Sequence, residues 1–318
     1  MNAVLEIKNL TMSYETSAGS VSAVDNVSFK IMPGEAMGLV GESGCGKTSL
    51  GMSIMKLLPE NAKITHGEII FDGEDVVAKT EAEMRRIRWE GISMVFQAAM
   101  NALNPVIKVG DQIIEAIMAH ENIKKEKARE KVRALYEMVG LAPERMVNYP
   151  HEYSGGMRQR AIIAMALACD PKFIIADEPT TALDVIVQDE IIDEIVNIQR
   201  KLNMIMMYIS HDISVIAETC DKIGVMYAGH LIEYADTFAL FDNPLHPYTR
   251  ALMSSFPSIE GPRKELKPVP GEPPNLLDPP QGCRFYPRCS HAQEICDNQR
   301  PELVEREKDH FSACHRVI

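Results

Sequence analysis

Hydrophobic positions along this chain change period several times, and each change marks an element. Alternation of apolar and polar positions over Val4 to Tyr14 and Ser22 to Ile31, rich in β-branched residues, predicts two antiparallel strands joined by the polar turn Glu15 to Ser20. Ala36 to Val40 is a short apolar run, as in a buried strand, and Thr48 to Leu58 has helical spacing until Pro59 ends it. Gly67 to Phe71 predicts a strand turned by Asp72-Gly73, Glu81 to Trp89 a charged helix, and Ile92 to Phe96 a buried strand. From Val109 to Leu141 the period is helical. Ile113, Ile114, Ile117 and Met118 form one apolar face, and Lys124 to Val139 makes a second, highly charged helix. This stretch interrupts an alternation of strands and helices and predicts a helical insertion in an α/β core. The alternation then resumes with a helix through Ala161 to Ala168, a strand from Phe173, a helix running to Lys201 and a strand from Met204 to Ile209. A hairpin of Ile223 to Tyr227 and His230 to Tyr234 follows around Ala228-Gly229.

The chemistry-bearing residues sit at the joints of this pattern. Gly41-Glu42-Ser43-Gly44-Cys45-Gly46-Lys47-Thr48 lies between a predicted strand and a predicted helix and fits the phosphate-loop spacing G-x-x-x-x-G-K-[ST]. Its glycines let successive backbone N–H groups turn inward on an anion, and the positive end of the following helix adds favourable partial charge. The candidate nucleotide contacts are therefore Gly41, Ser43, Gly44, Cys45, Gly46, Lys47, Thr48 and the adjoining Ser49, with Lys47 neutralising the β and γ phosphates and the Thr48 hydroxyl ligating Mg²⁺. Tyr14, at a strand end, is either a platform for a purine base or a half-exposed strand tyrosine.

Phe173 to Glu178 reads as a central strand delivering two carboxylates to its C-terminal edge: Asp177 to hold Mg²⁺ through its water shell, Glu178 to orient and deprotonate the attacking water. Gln97 and His211 end strands in the same pattern. Gln97 is placed to reach the Mg²⁺ or the water, and His211 the γ-phosphate; their bland readings are a loop glutamine and a structural histidine. Ser154-Gly155-Gly156 at a helix N-terminus is a second anion-binding arrangement or an ordinary N-cap, and Asp184 is at least the cap of the helix that runs to Lys201.

Composition narrows the partners. A net charge of −12 over 318 residues argues against a role in coating nucleic acid, which needs a basic patch. No apolar run reaches the roughly eighteen residues of a membrane span, and the first residues lack the basic-then-apolar order of a secretory signal. Of the seven cysteines, Cys45, Cys169 and Cys220 are scattered, while Cys283, Cys289, Cys296 and Cys314 crowd the end of the chain beyond a proline-rich connector, Pro257 to Pro280. An odd count with this placement is not a disulfide framework. Four such cysteines suit a tetrathiolate site, and their spacing does not choose between Zn²⁺ and an iron–sulfur cluster.

In this order, Tyr14, the Gly41 to Thr48 loop, Gln97, Ser154-Gly155-Gly156, Asp177-Glu178, Ala182-Leu183-Asp184 and His211 resemble the ATP-binding subunit of an ABC transporter. They match its A-loop, Walker A, Q-loop, signature, Walker B, D-loop and H-switch over about residues 4 to 236. Tyr153 and Met157 in the signature, and Asn243-Pro244-Leu245-His246-Pro247-Tyr248 further on, resemble the oligopeptide/dipeptide (peptide/nickel) importer branch; the alanines after Gln97 depart from the acidic residue frequent there. The resemblance implies a RecA-like P-loop ATPase core over 1–236 with N-terminal antiparallel strands, a helical subdomain at about 98–168, and a cysteine-rich extension over 237–318 with its linker at 257–280 and its metal site at 283–314. It implies ATP and Mg²⁺, Gln97 among the Mg²⁺ ligands, Ser154, Gly155, Gly156 and Asp184 acting on a nucleotide shared with a second ATPase subunit, and a [4Fe-4S] cluster on Cys283, Cys289, Cys296 and Cys314, with Zn²⁺ the alternative. Two transmembrane permease subunits, an extracytoplasmic solute-binding protein and a place on the cytoplasmic face of the membrane follow from the same resemblance. The second ATPase subunit is expected to be a homologous, different chain. The competing readings are a soluble ABC ATPase of DNA repair or translation, and a degenerate ATPase with a metal-sensing tail.

Overall fold

The structure is a computed structural model that describes residues 3–97, 102–181, 183–255 and 269–316. Its elements in chain order are β1 (Leu5–Thr16), β2 (Gly19–Ile31), β3 (Ala36–Val40), α1 (Lys47–Ile54), β4 (Ala62–Phe71), β5 (Glu74–Asp75), α2 (Glu81–Ile87), β6 (Ile92–Val95), α3 (Val109–His120), α4 (Lys125–Met138) and α5 (Gly155–Ala166). Then come β7 (Phe173–Asp177), α6 (Val185–Leu202), β8 (Ile205–Ile209), α7 (Ile213–Thr219), β9 (Lys222–Tyr227), β10 (His230–Asp236), α8 (Thr237–Asp242), α9 (Pro247–Ser254), α10 (Glu294–Asn298), β11 (Val304–Glu307) and β12 (His310–Ser312). Two compact units are formed, one by Met32–Glu35 and Ala78–Tyr208, the other by Asn2–Ile31, Ala36–Val77 and Ile209–Ile318.

The second unit contains the antiparallel N-terminal strands. β1 pairs antiparallel with β2, from Leu5 opposite Ile31 to Thr16 opposite Gly19, and on its other side with β4, from Leu5 opposite Phe71 to Tyr14 opposite Ala62. β5 completes a four-stranded sheet in the order β2-β1-β4-β5. β4 begins well before the expected Gly67; Lys63, Thr65 and His66 in its first half are exposed, which leaves no hydrophobic period to read. Helix α1 stops at Ile54 rather than reaching Leu58. Lys56 turns left-handed at φ 51°, and Leu57 N–H returns to Met52 O at 2.9 Å, so the helix closes in a Schellman-type turn before Pro59 can act.

In the same unit β3 is fully buried and runs parallel to β9, from Met37 beside Lys222 to Val40 beside Val225. Antiparallel β10 follows, then β12 and β11. The C-terminal segment thus adds strands to the sheet, with Glu233 opposite Ser312 and Tyr234 opposite Phe311. Charged side chains on β11, Glu305, Arg306 and Glu307, are exposed along that edge, where they discourage further pairing. Between β8 and β9, α7 was not expected from the pattern; Asp212 caps it, accepting from Ser214 N–H at 2.9 Å.

The first unit contains β6 and β7, parallel from Ile92 beside Phe173 to Val95 beside Ala176, with β8 next to β7 in strand order. All three strands are apolar runs buried along their length, as parallel strands covered on both faces require. In α3, Ile113, Ile114 and Ile117 are buried as expected, but Met118 is 45% exposed, since it lies beyond the edge of the stripe those three define. Against them α4 buries Ala128, Val132, Leu135 and Tyr136. Helix α5 starts at Gly155, with Ser154 as its N-cap. The chain is an α/β protein with mixed sheets, and no helix among the described residues is long and apolar enough to cross a membrane.

Candidate active site

The phosphate loop belongs to the second unit, and its path runs through three glycines at left-handed backbone angles that side chains rarely adopt. Gly41, Gly44 and Gly46 have φ of 150°, 76° and 105°. A Cβ on Gly41 would strike the Met226 carbonyl, and one on Gly46 the Ala23 carbonyl, whereas around Gly44 nothing lies within 4 Å. The loop is therefore pressed against β9 and β2 on one side and open on the other, which is the shape of a cradle for an anion. Lys47, only 7% exposed, folds back over it: Nζ donates to Gly41 O at 2.7 Å and Glu42 O at 3.0 Å. Those carbonyls hold the ammonium beside the open face, where phosphate oxygens would become its stronger partners. Thr48 is exposed in the first turn of α1, and Ser49 Oγ shares a hydrogen bond of 3.1 Å with Tyr14 Oη. Tyr14 is thus tethered to the helix that begins at the loop. His211 is exposed in the turn between β8 and α7.

The carboxylates lie in the first unit. Asp177 ends β7 and is 1% exposed; Glu178 follows with a left-handed φ of 49°, a strained angle for a residue with a side chain. Its Oε2 accepts from Gln97 Nε2 and from Thr181 Oγ1, both at 2.9 Å. Gln97 and Glu178, singled out separately from the sequence, are in direct contact. Ser154 Oγ accepts from Met157 N–H at 3.3 Å, and Asp184 Oδ1 from Val187 N–H at 3.0 Å, so both are helix caps. Gly156 has a packing reason as well, because a Cβ there would come within 2.6 Å of Val187 on α6. Tyr153, unusual in its motif, is buried with Oη donating to Arg145 O at 2.7 Å and bonded to Tyr136 Oη at 3.0 Å, which ties the start of α5 to α4. Ala182 and the residues just after Gln97 lie outside the described residues.

Three residues at the phosphate loop escaped the sequence reading. In the second unit Glu42 is bonded both to Tyr248 and to Arg288. The only local signal was the dense alternation of arginine and aromatic residues in Arg284-Phe285-Tyr286-Pro287-Arg288, which was read for its flanking cysteines.

The family model for ABC transporters matches residues 24–181, and that for the C-terminal region of oligopeptide/dipeptide transporters matches residues 232–296. The chain is 45% identical over 317 residues to a dipeptide transport ATP-binding protein of Bacillus subtilis (strain 168), covering 99% of this chain and 95% of that one. It is 43% identical over 319 residues to an oligopeptide transport ATP-binding protein of Escherichia coli (strain K12), covering 100% and 94%. Among solved structures, a dimeric post-hydrolysis state of the ATP-binding cassette MJ0796 bound to ADP and Pi aligns with a TM-score of 0.66 at 27% identity, over 73% of this chain and 98% of that one. The fold is that of an ABC cassette, an ATPase. The chain belongs to the ATP-binding subunits of the oligopeptide/dipeptide branch of ABC transporters.

The expected metal centre is corrected. Cys283, Cys289, Cys296 and Cys314 do border one small cavity of about 20 Å³, but among the described residues no group of three or more His, Cys, Asp or Glu side chains is arranged to hold a metal ion. The residues present do not fit a [4Fe-4S] cluster, nor its Zn²⁺ alternative. Burial pushes the Cys283 thiol up to about 11 and raises those of Cys289 and Cys314, and Cys314 Sγ donates to Arg316 O at 2.8 Å. The tail takes its order elsewhere: from β12 in the sheet, and from Phe285, whose ring centroid lies 5.2 Å from that of Tyr227 and 5.4 Å from that of Tyr248.

Proposed function

We propose that this chain hydrolyses ATP to power the import of oligopeptides or dipeptides, working at the cytoplasmic face of a membrane. Two permease subunits, a solute-binding protein and a second ATPase subunit, a homologous but different chain, would complete the transporter. The kinship with dipeptide and oligopeptide transport ATP-binding proteins supports the cargo class, because it runs through the C-terminal region as well as the ATPase motifs. It gives no support to a soluble repair or translation ATPase.

In this reading residues 1–236 are the ATPase domain, those at about 98–168 its helical subdomain, and 237–318 its extension. The phosphate loop and the N-terminus of α1 receive the phosphates, Lys47 neutralises the β and γ groups, and Tyr14 stacks on the base. Thr48, Gln97 and Asp177 offer hard oxygen donors that suit Mg²⁺, which when bound supplies charge neutralisation between the β and γ phosphates. Water attacks the γ-phosphorus as the bridging β–γ bond breaks; Glu178 takes the proton of the water, and His211 positions the γ-phosphate. Ser154, Gly155, Gly156 and Asp184 contact the nucleotide held by the second ATPase.

The observation that carries the catalytic reading is the Glu178 carboxylate, held by Gln97 and Thr181 at the end of a buried strand. Glu178→Gln should keep ATP affinity within a few-fold and lower kcat by about 10² to 10⁴, measured as phosphate release beside nucleotide binding. Wild-type turnover in that variant would remove Glu178 as the base.

A further inference from the structure

Within the second unit the C-terminal segment grips the phosphate loop. Glu42, the second residue of the loop, has its N–H bonded to Tyr248 Oη at 3.0 Å. Its carboxylate takes the two-pronged fork of Arg288, Nη1 to Oε2 at 2.7 Å and Nη2 to Oε1 at 2.9 Å. Arg288 is itself immobilised. Its side chain is 4% exposed, Nε donates to Pro270 O at 2.6 Å and Nη1 to Tyr227 Oη at 3.2 Å, and the guanidinium lies 5.6 Å from the Tyr227 ring centroid. Tyr227 and Tyr248 pack with ring centroids 4.7 Å apart, so one aromatic cluster holds both of the groups that reach Glu42. On the loop's other side, Gly229 N–H donates to Cys45 O at 2.9 Å, and Arg284 donates to the neighbouring Ala228 O.

These contacts bear on nucleotide binding through one peptide group. Glu42 O and Gly41 O are the two carbonyls that hold Lys47 Nζ, so the position of the Glu42 backbone sets where that cation waits. A guanidinium fork satisfies a carboxylate in one orientation only, and a buried pair is costly to break from one side. We propose that Arg288, with Tyr248, is a positioning residue for ATP: through Glu42 it fixes the phosphate loop in its binding shape, so that the tail sets nucleotide affinity. The inference rests on the phosphate-loop reading given above. A merely structural Arg288 would anchor the tail to the loop without affecting what the loop binds.

The test measures Mg·ADP binding by calorimetry and ATP turnover on the full chain. Arg288→Ala should raise the Kd for ADP and the KM for ATP about tenfold, with kcat changed far less. Tyr248→Phe, which removes one hydroxyl, should raise both about threefold. Glu42→Gln combined with Arg288→Ala should add little to either alone, since both remove the same interaction. Arg306→Ala is the control: it cuts a different bond in the tail, to Cys314 O at 2.7 Å, and should leave the Kd unchanged. Wild-type affinity in Arg288→Ala overturns the proposal, as does an equal loss in Arg306→Ala. Should Arg288→Ala fail to fold, unchanged affinity in both Tyr248→Phe and Glu42→Gln overturns it. Lys47→Ala separates the two readings: affinity retained there defeats the phosphate-loop assignment, whereas affinity lost there and kept in Arg288→Ala defeats only the role of the tail.

Discussion

At the scale of single residues, burial decides which ionisable groups matter to stability. His246 caps α9 through Nδ1, which accepts from Tyr248 N–H at 3.0 Å and so requires a neutral ring. Burial pulls its pKa down to about 4, against a weaker opposing pull from the Glu233 carboxylate. Above pH 6.5 neither folded nor unfolded chain protonates it; below, the unfolded chain takes up a proton that the folded one refuses until about pH 4. Stability should therefore fall as pH drops through that window, by about 2 kcal/mol between pH 7 and pH 5 from this group. Urea melts at the two pH values check it: His246→Asn should flatten the dependence without abolishing it, because His230, also lowered to about 4 by burial, acts with the same sign. Equal slopes in variant and wild type would contradict the account. Asp25 acts with the same sign: burial would raise its pKa, but the hydrogen bond from His230 and the charges of Arg300 and Arg284 hold it well below the usual carboxylate range, so its contribution to stability is also lost as pH falls.

At the scale of elements, buried strands and caps were legible, and edges were not. The apolar runs of β3, β6, β7 and β8 show in the sequence because both faces of those strands are covered. β4 was half missed because its first residues are exposed, and α7 because a helix of seven residues barely establishes a period. Asp184 illustrates how one residue can satisfy two readings. As the N-cap of α6 it accepts from Val187 N–H, and Asp184→Ala should cost about 1 kcal/mol of stability. Asp184→Asn keeps the acceptor and should melt like the wild type. If Asp184 also serves the nucleotide of a second ATPase, Asp184→Asn should still lower turnover in the assembled transporter; unchanged turnover would leave the cap as its whole role.

At the scale of the whole molecule, the C-terminal segment is part of the fold. His310 Nε2 meets the fully buried Glu233 at 2.8 Å, and the same carboxylate accepts from the N–H groups of Leu245 and His246. Removing the chain from Gly282 onward strips β12 from β10, leaves Glu233 without its histidine, and uncovers Tyr227 and Tyr248. We expect a loss of roughly 3 kcal/mol or more, as for deleting a buried aromatic side chain, seen as a lower melting midpoint. A truncated chain that melts like the full one would show the tail to be an independent appendage.

By itself the sequence determined the order of the nucleotide-handling motifs and the buried strands that carry several of them, because a phosphate loop, a capped helix and a covered strand each leave their spacing within a few neighbouring residues. Only the tertiary structure decided what the tail does. The Arg288–Glu42 pair joins residues 246 apart, and β12 is three residues long, so neither leaves a local period to read. The four terminal cysteines show the converse. Their spacing suited a metal, but ligation depends on how the side chains are brought together, and among the described residues the fold does not arrange them to hold one.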